Sequence, residues 1–410
     1  MRQYIFLVLL SVSFLNLTAC SNQNTKKPLT EKVSSNLQTT VALPQPAAFY
    51  PNRYLNLLQD KKVGLVVNHT SMVGKVHLVD FLQQKNIDVA KIFTPEHGFK
   101  GTADAGEKVH NDEYKNVTII SLYGDNKKPK AATLQGIDLL VFDMQDVGAR
   151  FYTYISTLHY VMEAAAENNV ELLVLDRPNP NGHYVDGPIR EPEFESFVAK
   201  HPIPVVHGLT VGELAQMING EGWLTSGAKC KLSIIMAPNY SHNIGYDLPV
   251  KPSPNLPNTT SILLYPSLCF FEGTALSIGR GTDQQFQVIG HPTLKEMEYS
   301  FTPQKNEGAK YPKLENEQCF GINLSTMDKK VIFLQQQLNL TWLIDMYAAF
   351  PNKANFFLAN NFFDKLAGTT LLQQQIKQGL DETAIRDSWE EGLASYKTMR
   401  KKYLLYADFE

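Results

Sequence analysis

The sequence predicts an α/β fold, a Rossmann-like parallel sheet domain followed by a smaller α+β domain. Three observations carry that expectation. Apolar runs of strand length recur from residue 62 onward, stretches with helical spacing separate them, and the texture changes to proline-rich chain near residue 240. In order, strands are expected at 62–67, 88–93, 117–122, 138–143, 171–175 and 202–206, with helices at 75–86, 153–168 and 210–219. The helix 153–168 carries the clearest pattern, with Ile155, Leu158, Val161, Met162 and Ala165 on one face and a start near Thr153. The run Leu232-Ser233-Ile234-Ile235-Met236 closes the sheet domain, which we place at residues 46–240. Pro238, Pro249, Pro252, Pro254 and Pro257 then mark an extended surface connection, because proline cannot donate to a ladder or a helix. Residues 241–410 form the α+β domain, helical toward its end and including 381–403.

Each buried strand runs straight into polar side chains. Val67 leads into Asn68-His69-Thr70, Thr94 into Pro95-Glu96-His97-Gly98, and Leu122 into Tyr123-Gly124-Asp125. Phe142 leads into Asp143-Met144-Gln145-Asp146, and Leu175 into Asp176-Arg177-Pro178-Asn179. Parallel sheets bind ligands outside the carboxyl ends of their strands, so these clusters should converge on one crevice. A blander role stands beside that one, since Asp143 and Asp176 also suit helix capping or loop ordering.

The chain starts with Arg2, an apolar core Tyr4–Leu10 and a small-residue exit, which reads as a secretory signal too short for a membrane span. Leu17-Thr18-Ala19-Cys20 matches a bacterial lipoprotein box, so residues 1–20 are expected to be a signal with Cys20 as the lipidated residue. Ser21 is not the acidic residue that marks inner-membrane retention, which favours an outer-membrane tether facing the periplasm. Residues 21–45, rich in Ser, Thr, Asn and Lys, lack the apolar groups of a core and read as a flexible tether. Cys230, Cys269 and Cys319 are odd in number, so at most one disulfide forms. A net charge of −3 offers no electrostatic footprint for nucleic acid.

Absent motifs narrow the chemistry. No G-x-G-x-x-G, Walker A, H-E-x-x-H, G-x-S-x-G or C-x-x-C pattern occurs, and no cofactor is called for. Glu96, in a tight turn at a strand exit, suits general-acid work, or equally a loop-ordering role. Asp143, Gln145, Asp146, Arg150 and Tyr152, beside Phe151 and Tyr154, offer the mixture of planar polar groups and aromatic faces that binds sugars. Arg177 and Asn179 lie on a proline-stiffened loop, with Arg177 free to meet a ligand carboxylate or to pair with Asp176.

The stretches Phe93–Gly101, Val141–Tyr154 and Leu175–Pro180 resemble the exo-β-N-acetylmuramidases of the NamZ type, long catalogued as a bacterial domain of unknown function. The likeness continues through Tyr265–Thr274, Gly279–Thr282 and Phe363–Thr369, and covers nearly all of residues 45–410. It implies a cleft between the two domains and release of N-acetylmuramic acid from the non-reducing end of peptidoglycan-derived disaccharides and glycan fragments. It also implies Glu96 as the catalytic carboxylate, with Glu191, in Asp186–Phe194, as its partner and Glu272 and Asp143 as rivals. Asn68, His97, Asp143, Gln145, Asp146, Arg150, Tyr152, Arg177, Asn179, Glu272 and Arg280 are the candidate substrate-binding residues. The chain departs from the family pattern at Ser277-Ile278-Gly279, where a Glu is expected before the glycine. Two other readings stand beside the glycosidase: a metal-dependent hydrolase using Asp143, Asp146 and His97, and a non-catalytic lipoprotein that binds muropeptides.

Overall fold

Six parallel strands and one antiparallel edge strand build the central sheet. In chain order they are β1 (Lys62–Val67), β2 (Asp88–Thr94), β3 (Asp112–Tyr114), β4 (Val117–Ser121), β5 (Leu139–Asp143), β6 (Glu171–Leu175) and β7 (Leu232–Ile235). The spatial order is β3-β4-β2-β1-β5-β6-β7, with β3 antiparallel to β4 and every other pair parallel. Counting the parallel strands alone, this is the doubly wound order 3-2-1-4-5-6, whose switch point falls between β1 and β5. The structure, a computed structural model, describes residues 42–104, 106–107 and 110–410. The expected signal, the lipidated Cys20 and the tether up to residue 41 lie outside the described residues.

Burial of both sheet faces explains the near-continuous apolar runs. Leu140, Phe142, Leu172 and Val174 face one apolar cluster, and Leu139, Val141, Leu173 and Leu175 face the other. Helix α1 (Leu78–Gln84) sits in the second cluster, while α2 (Tyr154–Glu167) and α3 (Val211–Gly220) sit in the first. The cap of α3 is complete, because Thr210 accepts from the Glu213 amide and Glu213 accepts from the Thr210 amide.

Two corrections to the expected elements have simple causes. The run 202–206 does not join the sheet. Pro202 and Pro204 remove ladder donors, and Val206 makes only isolated bridges to Ala149 and Asp186. The seventh strand is instead the short edge β3, whose charged sequence Asp112-Glu113-Tyr114 carries no apolar pattern.

Beyond residue 240 the chain forms the expected mixture of helix and sheet. A three-stranded antiparallel sheet, Val288–His291, Cys319–Asn323 and Tyr299–Phe301 in that spatial order, is followed by helices reaching Arg400. The apolar cluster under α2 takes in Phe270, Leu343, Phe363 and Tyr396, so the two halves share one core. Cys230, Cys269 and Cys319 are all buried and free.

Candidate active site

Glu96 is set by a turn that begins where β2 stops. Pro95 ends the strand, the Gly98 amide donates to the Pro95 carbonyl at 3.1 Å, and His97 and Gly98 both take left-handed backbone angles, with φ of 68° and 72°. A non-glycine residue there is strained, and such residues concentrate at functional sites. The bond between His97 Nδ1 and the Ala103 carbonyl, 2.7 Å, holds His97 in place. Gly101, also left-handed, passes so close to His69 that a Cβ would overlap the imidazole. Glu96 is 8% exposed, and neutral groups hold its carboxylate: Thr153 Oγ1 donates to Oε2 at 2.6 Å, the Gly106 amide to Oε1 at 3.1 Å, and the Tyr123 hydroxyl is hydrogen-bonded to it as well. Thr153 precedes α2 but makes no side-chain cap, because its hydroxyl is turned to Glu96.

Glu96 faces a cavity of about 330 Å³, in the range of small-molecule sites (~300–1,000 Å³). Phe151, Tyr152, Tyr154 and Tyr265 supply aromatic wall, packed edge to face on one another. The hydroxyl of Tyr152 donates to the Pro252 carbonyl at 2.8 Å, so the proline-rich connection seals that wall. Tyr123 stands beside Glu96, and burial, then the Glu96 charge, push its phenol well above the ordinary range and keep it protonated.

The far wall comes from the second half of the chain. Arg280 lines it and joins Asp104, at 2.5 Å, to Glu272, at 3.0 Å. Burial alone would pull the guanidinium down, but Glu272 and Asp104 outweigh it and hold Arg280 above its usual pKa. Behind this lining Lys313 stands near Glu272, and Lys310 pairs with Glu107 outside it.

Of the expected site residues, Glu96, His97, Tyr152, Glu272 and Arg280 line this cavity. The others are not among its lining residues, and the structure places them in networks of internal bonds. Asp143 is fully buried and held bidentate by Arg177, at 2.6 and 3.0 Å, so the two side chains satisfy each other. Arg150, also fully buried, donates to the carbonyls of Pro188, Ile203, Leu366 and Ala367 at 2.6–3.0 Å. Burial pulls its pKa below the usual arginine value. Gln145 Nε2 bonds the Asp146 and Pro178 carbonyls, Asp146 caps the Gly148 amide, and Asn179 ties the Leu209 carbonyl to the Asn181 amide. Asn68 accepts from the Thr70 amide and hydroxyl. Glu191 is not among the lining residues; its carboxylate accepts from Thr369 Oγ1 at 2.7 Å and its amide donates to the Gly368 carbonyl. Ile278, at the position where a Glu was expected, is buried in the apolar cluster.

Sequence reasoning missed Thr153, the Gly106 amide and the polar pair Ser253 and Asn255 in the lining. Thr153 was legible only as a helix start, while Asn255 sits in a proline-rich stretch that reads as connection. Among the described residues no group of three or more His, Cys, Asp or Glu is disposed to hold a metal ion.

Fold and site together define a class, α/β proteins whose strand-end carboxylate opens into an aromatic-walled cavity closed by a second half of the chain. Residues 63–260 match the family model for the N-terminal part of the exo-β-N-acetylmuramidase NamZ, and residues 263–406 that for its C-terminal part. The peptidoglycan β-N-acetylmuramidase NamZ of Bacillus subtilis (strain 168) is 36% identical over 441 residues, with 99% of this chain and 100% of that protein covered. Two DUF1343 family crystal structures from Bacteroides fragilis NCTC 9343 are similar in fold. One, at 44% identity, has a TM-score of 0.83 over 90% of this chain and 100% of its own, and the other, at 28%, 0.75 over 88% and 99%. The chain belongs to the NamZ family of exo-β-N-acetylmuramidases.

Proposed function

We propose that this protein is an exo-acting glycoside hydrolase that releases N-acetylmuramic acid from the non-reducing end of peptidoglycan fragments. The observation that carries the reading is the cavity itself, with Glu96 on one wall and Glu272 beside Arg280 on the other. Glycosidic cleavage needs a proton at the leaving oxygen and negative charge near the developing oxocarbenium ion. Glu96, hydrogen-bonded only by neutral donors among the described residues, suits the proton transfer. Glu272, paired with a guanidinium, suits the charge-stabilising role. Arg280 is the one arginine of Arg150, Arg177 and Arg280 that lines the cavity, so it is our candidate for reading the lactyl carboxylate of muramic acid. The test is incubation of the purified protein with the N-acetylmuramic acid–N-acetylglucosamine disaccharide, followed by mass spectrometry. Both free sugars are expected, and a folded protein that leaves the disaccharide intact overturns the reading.

We also propose that Cys20 carries a lipid that holds the enzyme on the periplasmic face of a bacterial outer membrane. The lipoprotein box directly after an apolar signal core supports this. Cys20→Ala is expected to fractionate with soluble periplasmic contents or to remain unprocessed. Full recovery of that variant in washed membranes would count against the anchor.

A further inference from the structure

The cavity has a second end, opposite in character to the Arg280 wall. Phe197 lines it there, its ring 5.9 Å from that of Tyr123, and Tyr123 stands beside Glu96. Tyr160 stacks on Phe197 at 6.3 Å with an interplanar angle of 16°, and Ser156 Oγ fixes the segment by donating to the Phe197 carbonyl at 2.7 Å. Over the Phe197 ring, 4.8 Å from its centroid, lies the Nζ of Lys127.

The neighbouring lysines are paired. Lys128 bridges Glu163 and Glu167, and Lys200, 5.0 Å from the Tyr160 centroid, holds Glu195 at 2.6 Å. Lys127 carries no ion pair among the described residues, and the aromatic face positions its ammonium without neutralising it. A half-buried cation held in this way over an aromatic ring that lines the cavity is a receptor for an anion.

Glu96 orders the two ends. Through Gly106 and Asp104 it neighbours the Arg280 wall, and through Tyr123 it neighbours Phe197. If the sugar to be released lies toward Arg280, the leaving-group side of the glycan must pass over Phe197. In alternating glycan the first leaving-group sugar is uncharged, and the next carries a carboxylate. We propose that Phe197 and Lys127 form a leaving-group subsite in which Lys127 binds a carboxylate on the second sugar beyond the scissile bond, so that the enzyme favours fragments longer than a disaccharide. This rests on the hydrolase reading above.

That carboxylate is either the lactyl group or the terminus of an attached peptide, and the substrates separate them. The kcat/KM of wild type, Lys127→Met and Lys127→Arg would be measured on the disaccharide, on the peptide-free tetrasaccharide, and on the tetrasaccharide with a peptide on its second muramic acid. Wild type is expected to favour at least one tetrasaccharide. In Lys127→Met the tetrasaccharide-to-disaccharide ratio should fall about fivefold, as for loss of a partly exposed ion pair, mainly through KM, and Lys127→Arg should restore it. A response with the peptide-free substrate names the lactyl group, and one confined to the peptide-bearing substrate names the peptide. A wild type without length preference, or a Lys127→Met that lowers all substrates alike, overturns the subsite while leaving the hydrolase reading intact. A wild type that cleaves none of the three overturns both.

Discussion

Asp143 and Glu96 begin alike in the chain and end in opposite circumstances. Each stands at the carboxyl end of a buried parallel strand, Asp143 as its last residue and Glu96 two residues beyond, and each is a carboxylate in a short polar cluster near the sheet's switch point. Asp143 is fully buried and Arg177 takes both of its oxygens. Glu96 meets two hydroxyls and one amide, all neutral, and faces open volume. The same contrast separates the arginines. Arg150 is consumed by four backbone carbonyls, whereas Arg280 keeps an edge on the cavity. Polar groups whose partners are all internal hold the strand ends in register, and chemistry is left to those that retain a solvent-facing side.

The largest expected effect tests that division directly. Glu96→Gln preserves size and one acceptor oxygen, which can keep the Gly106 amide bond while the Thr153 hydroxyl turns to accept from Nε2, and it removes the exchangeable acid, so kcat should fall by about 10²–10⁴-fold with little change in melting temperature. Glu272→Gln should also lose activity strongly, while Glu191→Gln, outside the cavity lining, should stay within about threefold of wild type. A folded Glu96→Gln with more than about a tenth of wild-type turnover would reassign the acid.

Asp143→Asn is the mirror experiment. It leaves the Arg177 guanidinium buried without its counter-charge, which costs on the order of 3–5 kcal/mol of stability. Urea unfolding should therefore register a large loss, with catalysis per folded molecule retained. An Asp143→Asn protein of wild-type stability and abolished turnover would move Asp143 into the site.

Arg280→Ala should have a smaller, selective effect. A charged hydrogen bond in a cleft contributes about 1.5–3 kcal/mol, so the preference for muramic acid over N-acetylglucosamine glycosides should drop by roughly 10- to 100-fold. Unchanged selectivity would remove Arg280 as the reader of the lactyl group.

This division between scaffold and site marks where the sequence was legible. Buried parallel strands announce themselves by unbroken apolar runs, so five of the six expected strands and the closing run 232–236 appear in the sheet, and Thr153 marks the start of α2. The run 202–206 misled because its apolar residues are buried without a ladder, the two prolines having removed the donors. Strand-end polarity located the edge of the sheet where Glu96 lies but not which side chains are free. That depends on partners far away in sequence: Leu366 and Ala367 for Arg150, Thr369 for Glu191, and Asp104 for Arg280. No local pattern encodes such pairings.

The subtlest expected effect concerns Lys313, which lies behind the site wall and behaves like scaffold. Its ammonium donates to the carbonyls of Phe271, Glu272 and Thr274 and so pins the turn that presents Glu272. Burial pulls its pKa down to about 8, with Glu272 opposing and Arg280 reinforcing the shift, against an ordinary lysine value of about 10.4. Below pH 8 the charged form persists in folded and unfolded chains alike, and the desolvation penalty is fully present. Between pH 8 and about 10.4 the folded protein has released that proton and the unfolded chain still holds it, so the Lys313 contribution to stability rises with pH and levels off above. Comparison with Lys313→Met cancels the other titrating groups. The gap in unfolding free energy between wild type and Lys313→Met should widen in favour of wild type as pH is raised from about 8 to 10. A gap that stays constant or narrows over that interval would mean that the lysine keeps its proton, and that its carbonyl contacts outweigh the cost of burying the charge.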